Sequence, residues 1–184
     1  QYLFKEGQIT GKNTAITFRL DTDSIYHPGL AFKYLHDKKE ISLVRTEEGM
    51  GRSPFFDTYH DLELDFQYLT WVLDQPKINF QFLPGTTNLK ATFESMDYFS
   101  RQRFLELQGM DQVHPLQEVK NFCKKINDRH FTDKEYADFI RQSIPQTKQV
   151  LMTLAFKGFI SYNYETGKAV ALDKTFNYLK SSVG

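Results

Sequence analysis

The sequence predicts an α+β protein with a β-rich first part and a helical second part. Residues up to about 95 alternate between apolar and polar side chains, which is the period of a half-buried strand. From Pro115 onward, apolar residues recur every three or four positions, as on an amphipathic helix. The 184 residues include 17 Phe and 10 Tyr, which favour pleated sheets. These patterns divide the chain into a β-rich domain over 1–95, a helical connector over 96–114 and a second domain over 115–184.

Seven segments of the β-rich part carry the strand pattern: TAITFRL, GLAFKYLH, EISLVR, HDLELDF, YLTWVL, KINFQFL and NLKATFES. In the first of them, Ile16, Phe18 and Leu20 share one face. Turn-forming residues separate the segments at His27-Pro28-Gly29, Asp37-Lys38-Lys39, Glu48-Gly49-Met50-Gly51, Asp74-Gln75-Pro76 and Pro84-Gly85. The pattern predicts seven or eight short strands, either antiparallel or coiled as in a short β-solenoid.

The connector and the start of the second part are predicted to be helical. Met96 to Gly109 places Phe99, Phe104 and Leu105 on one side of a helix. After His114, a second helix carries an apolar stripe formed by Leu116, Val119, Phe122, Cys123 and Ile126. The place of Cys123 on this stripe predicts a buried, unreactive thiol.

Two capping signals predict the next two helices. Thr132 and Glu135 have the spacing of a capping box, and Ser143 and Gln146 repeat it with Pro145 in the first turn. The inner faces of these helices carry Tyr136, Phe139 and Ile140, and then Val150, Leu151 and Leu154. Gly158 ends the second of them.

A hairpin and a closing helix complete the second part. Ile160, Tyr162 and Tyr164 lie on one side of a strand, which turns through residues 165–168 and returns over 169–172. Asp173 is predicted to cap a last helix that bears Phe176 and Leu179. Three helices, a hairpin and a closing helix match the element order of a winged-helix domain, so we expect residues 115–184 to be winged-helix-like.

Charge argues against a dedicated nucleic-acid binder. The chain is neutral overall, with 23 basic and 23 acidic residues. Residues 1–114 carry 12 Lys/Arg and 16 Asp/Glu, a net charge of −4, and residues 115–184 carry 11 and 7, a net charge of +4. Such an excess is milder than the basic surface that binders of nucleic acid present.

The alternative of nucleic-acid binding nevertheless has a set of candidate residues. A recognition helix must present hydrogen-bond donors to bases and cations to phosphates. The candidates on the third helix of the second part and on the hairpin are Gln146, Lys148, Gln149, Thr153, Lys157 and Lys168. The set lacks arginine, the residue of the commonest specific base contact.

A metal-dependent enzyme is the third possibility. FDTYHDLELD places Asp57, His60, Asp61, Glu63 and Asp65 within nine positions, and carboxylates and imidazoles are common metal ligands. On a strand, however, His60 would point away from the four acidic residues. We therefore expect a solvated strand with a histidine in a turn, no catalytic residues and no cofactor, with a site around His60 and Asp61 as the enzyme alternative.

Four stretches resemble a family of very large, uncharacterised exported proteins of Bacteroidetes-type bacteria. They are SIYHPGLAFKY, EISLVRTEEGMGRSPFFDTYHDLELDF, TFESMDYFSRQRFLELQGMDQVHPL and PQTKQVLMTLAFKGFISYNYETG, which cover most of residues 24–167. The resemblance implies that the chain is an internal segment of a cell-envelope protein, which agrees with its start at Gln1 rather than Met. The family supplies no catalytic residues.

The predicted function is therefore that of a non-catalytic structural or protein-interaction segment of a large exported cell-envelope protein. Its expected partner is a protein, either the rest of the parent chain or an envelope component. Tyr162 and Tyr164 are the candidate anchors, because aromatic side chains often carry binding energy at interfaces. The alternative is that both side chains fill the core of the hairpin, as aromatic residues commonly do. No apolar run in the chain approaches the length that a transmembrane helix requires.

Overall fold

A computed structural model describes residues 2–82 and 91–183. The chain divides into two compact units, Gln1–Met96 and Asp97–Gly184, which we call the sheet unit and the helical unit. Among the described residues, the sheet unit holds nine strands and one 3-10 helix, and the helical unit holds five α-helices and three short strands. The fold class is therefore α+β.

The sheet unit consists of strands joined by short turns. They are β1 (Tyr2–Lys5), β2 (Gln8–Leu20), β3 (Asp23–Leu35), β4 (Glu40–Val44), β5 (Phe55–Asp57), β6 (Leu62–Asp65), β7 (Tyr68–Val72), β8 (Ile78–Gln81) and β9 (Thr92–Ser95). The 3-10 helix covers Gly49–Arg52, where a turn was predicted.

Strand β3 is the centre of a curled half-barrel. Strand β2 pairs with one edge of β3, while β5 and β4 pair with successive parts of its other edge. From there the sheet continues through β7 to β8 on one branch and through β6 to β9 on the other, and β1 extends it beyond β2. These pairings are all antiparallel, so the antiparallel alternative is confirmed and the β-solenoid alternative is wrong.

One face of the sheet, which we call its inner face, buries the apolar side chains that the alternation placed together. Leu30, Leu43 and Leu69 are fully buried, and Phe18 packs edge-on against Trp71 at 5.4 Å between ring centroids. The other members of the core include Ile25, Phe55, Leu64 and Phe66. Burying this many branched and aromatic side chains is the main source of stability for the sheet.

The predicted turn at His27-Pro28-Gly29 is wrong, because these residues lie inside β3. The pairing of β2 with β3 shifts twice, once between Gly11 and Thr14 and again between Thr14 and Ile16. At the second shift β3 has one residue more than β2, which is the geometry of a β-bulge. Proline and glycine are thus used to interrupt the ladder rather than to reverse the chain.

Further differences concern the ends and the number of strands. Strands β1 and β5 were not predicted. The strand predicted at HDLELDF starts at His60, whereas β6 begins at Leu62. The turns predicted at residues 37–39 and 74–76 are confirmed. The turn predicted at Pro84-Gly85 and the first residues of NLKATFES lie outside the described residues.

The helical unit begins with two helices and a short strand. Its elements are α1 (Arg101–Gln108), α2 (Pro115–Ile126), β10 (His130–Thr132), α3 (Asp133–Ile140), α4 (Ile144–Phe156), β11 (Ile160–Tyr162), β12 (Lys168–Ala171) and α5 (Asp173–Ser182). The three strands form an antiparallel sheet in the order β10-β12-β11.

Local signals fix most of these boundaries. Both predicted capping boxes are confirmed, at Thr132 with Glu135 and at Ser143 with Gln146. Two predictions are wrong. Helix α1 begins at Arg101 rather than near Met96, because Ser100 provides its cap, and Asp173 is the first residue of α5 rather than its cap.

The core of the helical unit follows the predicted stripe of α2. Leu116, Val119, Phe122 and Cys123 are buried, whereas Ile126 is exposed near the end of the helix. The ring of Phe122 packs against the ring of Tyr136 in α3, with 5.5 Å between the ring centroids. Burial raises the pKa of the Cys123 thiol, which agrees with the expectation of an unreactive cysteine.

Candidate functional site

The exposed side of α4 is the best-defined surface for recognition in the helical unit. Leu151, Leu154 and Ala155 fix the orientation of α4 by packing into the core. The opposite side carries exposed side chains without charge, which we call the α4 face: Pro145, Gln146, Gln149, Met152 and Thr153. This surface offers amide, hydroxyl and apolar groups to a partner, and the exposed cation Lys157 follows it one turn after Thr153.

Three predicted nucleic-acid contacts lie on the α4 face, and two of them have local roles. The side-chain oxygen of Gln146 accepts a 2.7 Å hydrogen bond from the Ser143 hydroxyl as part of the capping box. The hydroxyl of Thr153 donates to the carbonyl of Gln149 at 3.0 Å. The side chain of Gln149 is exposed at the middle of the face.

Lys148 is held beside the α4 face by groups of the protein. Its ammonium nitrogen donates to the Tyr164 carbonyl at 3.2 Å and lies 4.2 Å from the centroid of the Tyr164 ring. It also lies 3.5 Å from an Asp133 carboxylate oxygen, and only 25% of its side chain is exposed. A phosphate would have to compete with these partners, so Lys148 is poorly placed for nucleic-acid binding.

The two remaining predicted cations lie away from the centre of the α4 face. Lys157 is exposed at the end of α4, where its carbonyl accepts a hydrogen bond from Lys174. Lys168 is exposed at the start of β12, opposite Thr132 of β10. Of the three predicted cations, Lys157 and Lys168 are therefore exposed, and Lys148 is engaged by groups of the protein.

Asp133 connects α3, α4 and the hairpin of β11 and β12. This buried carboxylate accepts a 2.9 Å hydrogen bond from the Tyr162 hydroxyl, and its backbone N–H donates to the Gly167 carbonyl at 2.8 Å. Gly167 has a φ of +70°, and a Cβ added to it would lie 2.6 Å from an Asp133 carboxylate oxygen. Only glycine fits this position, because a side chain would meet both backbone strain and a clash.

The two predicted tyrosine anchors have different environments. Tyr162 is 9% exposed, and burial together with its hydrogen bond to Asp133 raises the pKa of its phenol. It belongs to the interior, as the core alternative predicts, and is not available as a surface anchor. Tyr164 is 56% exposed and follows Asn163, whose side chain caps the turn by accepting hydrogen bonds from the N–H groups of residues 165 and 166. Tyr164 therefore extends the recognition surface beside Lys148.

The acidic cluster around His60 forms a turn rather than a metal site. Asp57 is buried and accepts hydrogen bonds from the backbone N–H of Tyr59 and, at 2.7 Å, from the His60 ring. His60 lies in a turn, as expected, and points toward Asp57, because the chain leaves the strand after Asp57 and strand alternation no longer applies. Over residues 2–82 and 91–183, no three His, Cys, Asp or Glu side chains converge as a metal ion requires.

No protein-family model, no curated protein and no solved structure matches this chain. In the part of the chain that the structure describes, each helix is too short or too polar to cross a membrane.

Two residues of this region, Met152 and Asp133, were not predicted from the sequence. Met152 is 37% exposed on the α4 face, and helical periodicity could have placed it there, since it lies three positions after Gln149. Asp133 directly follows the cap Thr132, and its role was hidden because acidic residues are common in the first turn of exposed helices.

Proposed function

We propose that the helical unit is a winged-helix module in which α4 takes the place of the recognition helix and the hairpin of β11 and β12 forms the wing. The order α2, β10, α3, α4, β11, β12 supports this proposal, as does the placement of β12 between β10 and β11 in the small sheet. The fold alone leaves the function open, because one fold hosts many functions.

The function that the geometry supports best is protein binding through the α4 face and Tyr164, without catalysis. The uncharged character of the α4 face is the observation that carries this proposal. Interface cores are depleted in charge and enriched in aromatic residues and methionine. Met152 and Tyr164 supply such side chains, and Gln149 supplies amide hydrogen bonds.

The setting of this interaction follows from the resemblance to large exported proteins. We propose that the chain is a structural or protein-interaction segment of a cell-envelope protein, and that its partner is another part of that protein or an envelope component. An extracytoplasmic winged helix would have no chromosome to read, which agrees with an uncharged α4 face.

A crosslinking experiment tests the proposed interaction surface. A photoreactive residue is introduced as Gln149→benzoylphenylalanine in the cells that make the protein, and the same residue replaces exposed Lys120 of α2 as the matched control. We expect an adduct from position 149 that protease digests and nuclease leaves intact. An adduct destroyed by nuclease, or equal adducts from positions 149 and 120, would contradict the proposal.

Nucleic-acid binding is the second candidate function. The winged-helix order and the exposed side chains of Gln149, Lys157 and Lys168 favour it. The engagement of Lys148 by Tyr164 and Asp133 argues against it, since affinity for a duplex depends mainly on cations at phosphates.

A further inference from the structure

A groove on the outer face of the sheet unit lies above strands β3, β4 and β7. It has a volume of about 260 Å³, smaller than the roughly 300–1,000 Å³ of pockets for drug-sized ligands. Its polar lining consists of Lys33, Glu40, Ser42 and Tyr68, and its apolar lining consists of Ala31, Phe32, Leu35 and Val44. The size suits a single small ring.

The strand register explains why these side chains meet. Lys33 lies directly opposite Ser42, and Ala31 lies opposite Val44, so the four side chains share one face of the sheet. Tyr68 lies opposite Val44, but its hydroxyl reaches Ser42 two residues away. The Tyr68 ring therefore runs along the groove and offers an extended apolar surface to a ligand.

The polar groups of the groove keep capacity for further hydrogen bonds. The Tyr68 hydroxyl donates to Ser42 at 3.3 Å, and the Ser42 hydroxyl donates to Glu40 at 3.4 Å. Both distances exceed the roughly 2.7–2.8 Å of good hydroxyl hydrogen bonds. Because a carboxylate can accept about four hydrogen bonds, Glu40 can bind ligand hydroxyls as well.

The charges of the groove favour a neutral ligand. Glu40 would repel an anion and Lys33 would repel a cation, so a ligand with a single charge is disfavoured in part of the groove. A neutral ring with hydroxyls at its rim and C–H groups on its faces would match the donors, the acceptors and the Tyr68 ring together. We propose that this groove binds a neutral saccharide through one sugar ring, a role separate from the protein-binding surface of α4.

Nuclear magnetic resonance titration of the whole chain tests this site. The probes are the methyl glycosides of glucose, galactose and mannose and N-acetylglucosamine, each raised to about 20 mM, which is high enough to detect a Kd in the millimolar range. We expect at least one sugar to shift the amide signals of Lys33, Ser42 and Tyr68. Glycine, a zwitterion, and glycerol, a small polyol, serve as comparison ligands.

Substitutions distinguish this groove from unspecific sugar contacts. Tyr68→Phe and Glu40→Gln remove one hydroxyl and one charge with little change in shape, and we expect each to weaken binding about three- to tenfold, as the loss of one hydrogen bond does. Tyr34→Phe, on the opposite face of β3, is the matched control and should bind as the unchanged chain does. No shifts with any sugar, shifts of equal size with glycerol or glycine, or equal affinity in all variants would overturn the proposal.

Discussion

Replacing Asp133 by alanine is expected to destabilise the helical unit by about 2–3 kcal/mol, because it leaves the buried Tyr162 hydroxyl without its charged hydrogen-bond acceptor. The substitution leaves the Tyr162 hydroxyl without its acceptor at 2.9 Å and leaves Lys148 without its carboxylate at 3.5 Å. It also opens space beside Gly167, which has no side chain to fill it. Urea denaturation followed by the helical circular dichroism signal measures the loss.

The control for this prediction lies on the same helix. Asp138 of α3 is exposed, and Asp138→Ala should change the free energy of unfolding by no more than about 0.5 kcal/mol. Asp133→Asn keeps an oxygen acceptor for Tyr162, so its loss of free energy of unfolding should lie between those of Asp133→Ala and Asp138→Ala. A loss below about 1 kcal/mol for Asp133→Ala would contradict the role of Asp133 as the connection between α3, α4 and the hairpin.

The sheet unit is expected to lose stability in mild acid because of His27. This side chain is 1% exposed, its Nε2 donates to the Ser53 carbonyl at 2.7 Å, and its Nδ1 accepts from the Gly29 N–H at 3.1 Å. A protonated Nδ1 would place its N–H against the Gly29 N–H, so this hydrogen bond would be lost. Burial lowers the pKa of His27 to about 3, with a smaller contribution from Arg45, although the Ser53 hydrogen bond opposes the shift.

The sign of the pH effect follows from the two states. The unfolded chain binds a proton at His27 below pH of about 6.5, whereas the folded chain resists protonation down to about 3. The contribution of neutral His27 to the free energy of unfolding is therefore fully present above about pH 6.5. It falls by about 1.4 kcal/mol per pH unit as the pH drops from about 6.5 toward about 3. Between pH 7 and pH 5 the loss is about 2 kcal/mol.

Trp71 provides the measurement for this second prediction. It is the single tryptophan of the chain and packs in the core of the sheet unit, so its fluorescence follows unfolding of that unit. His27→Gln keeps a donor and an acceptor but does not titrate, and it should remove about 2 kcal/mol of the acid loss between pH 7 and pH 5. The same pH dependence in both proteins would show that His27 does not control acid stability.

Local sequence signals predicted those elements whose boundaries depend on neighbouring residues. Alternation identified most strands of the sheet unit, and the capping boxes at Thr132 and Ser143 placed the starts of α3 and α4. The Pro28-Gly29 pair led to the wrong prediction of a turn, because β-bulges and turns use the same residue types. Only the pairing with the neighbouring strand distinguishes a bulge from a turn. Strand β5 escaped notice because three residues are too few to show a period.

The sites depend on contacts between residues far apart in the chain. Helical periodicity places Gln149 on the exposed side of α4, and this could be predicted. That Lys148 is occupied by Tyr164 and Asp133 could not, because it follows from how the hairpin packs against α3 and α4. The groove likewise needs the register that brings Lys33, Ser42 and Tyr68 onto one face.

The most direct test of the central claim, that the α4 face binds protein rather than nucleic acid, is the fluorescence anisotropy of a labelled random-sequence duplex. The duplex is titrated with the whole chain at low salt and again at physiological salt. We expect no binding at micromolar protein under either condition, because Lys148 is engaged and only Lys157 and Lys168 of the predicted cations are exposed, which is too few for a strong phosphate contact. Binding at low salt that weakens as salt rises would demonstrate phosphate contacts and contradict the proposed function.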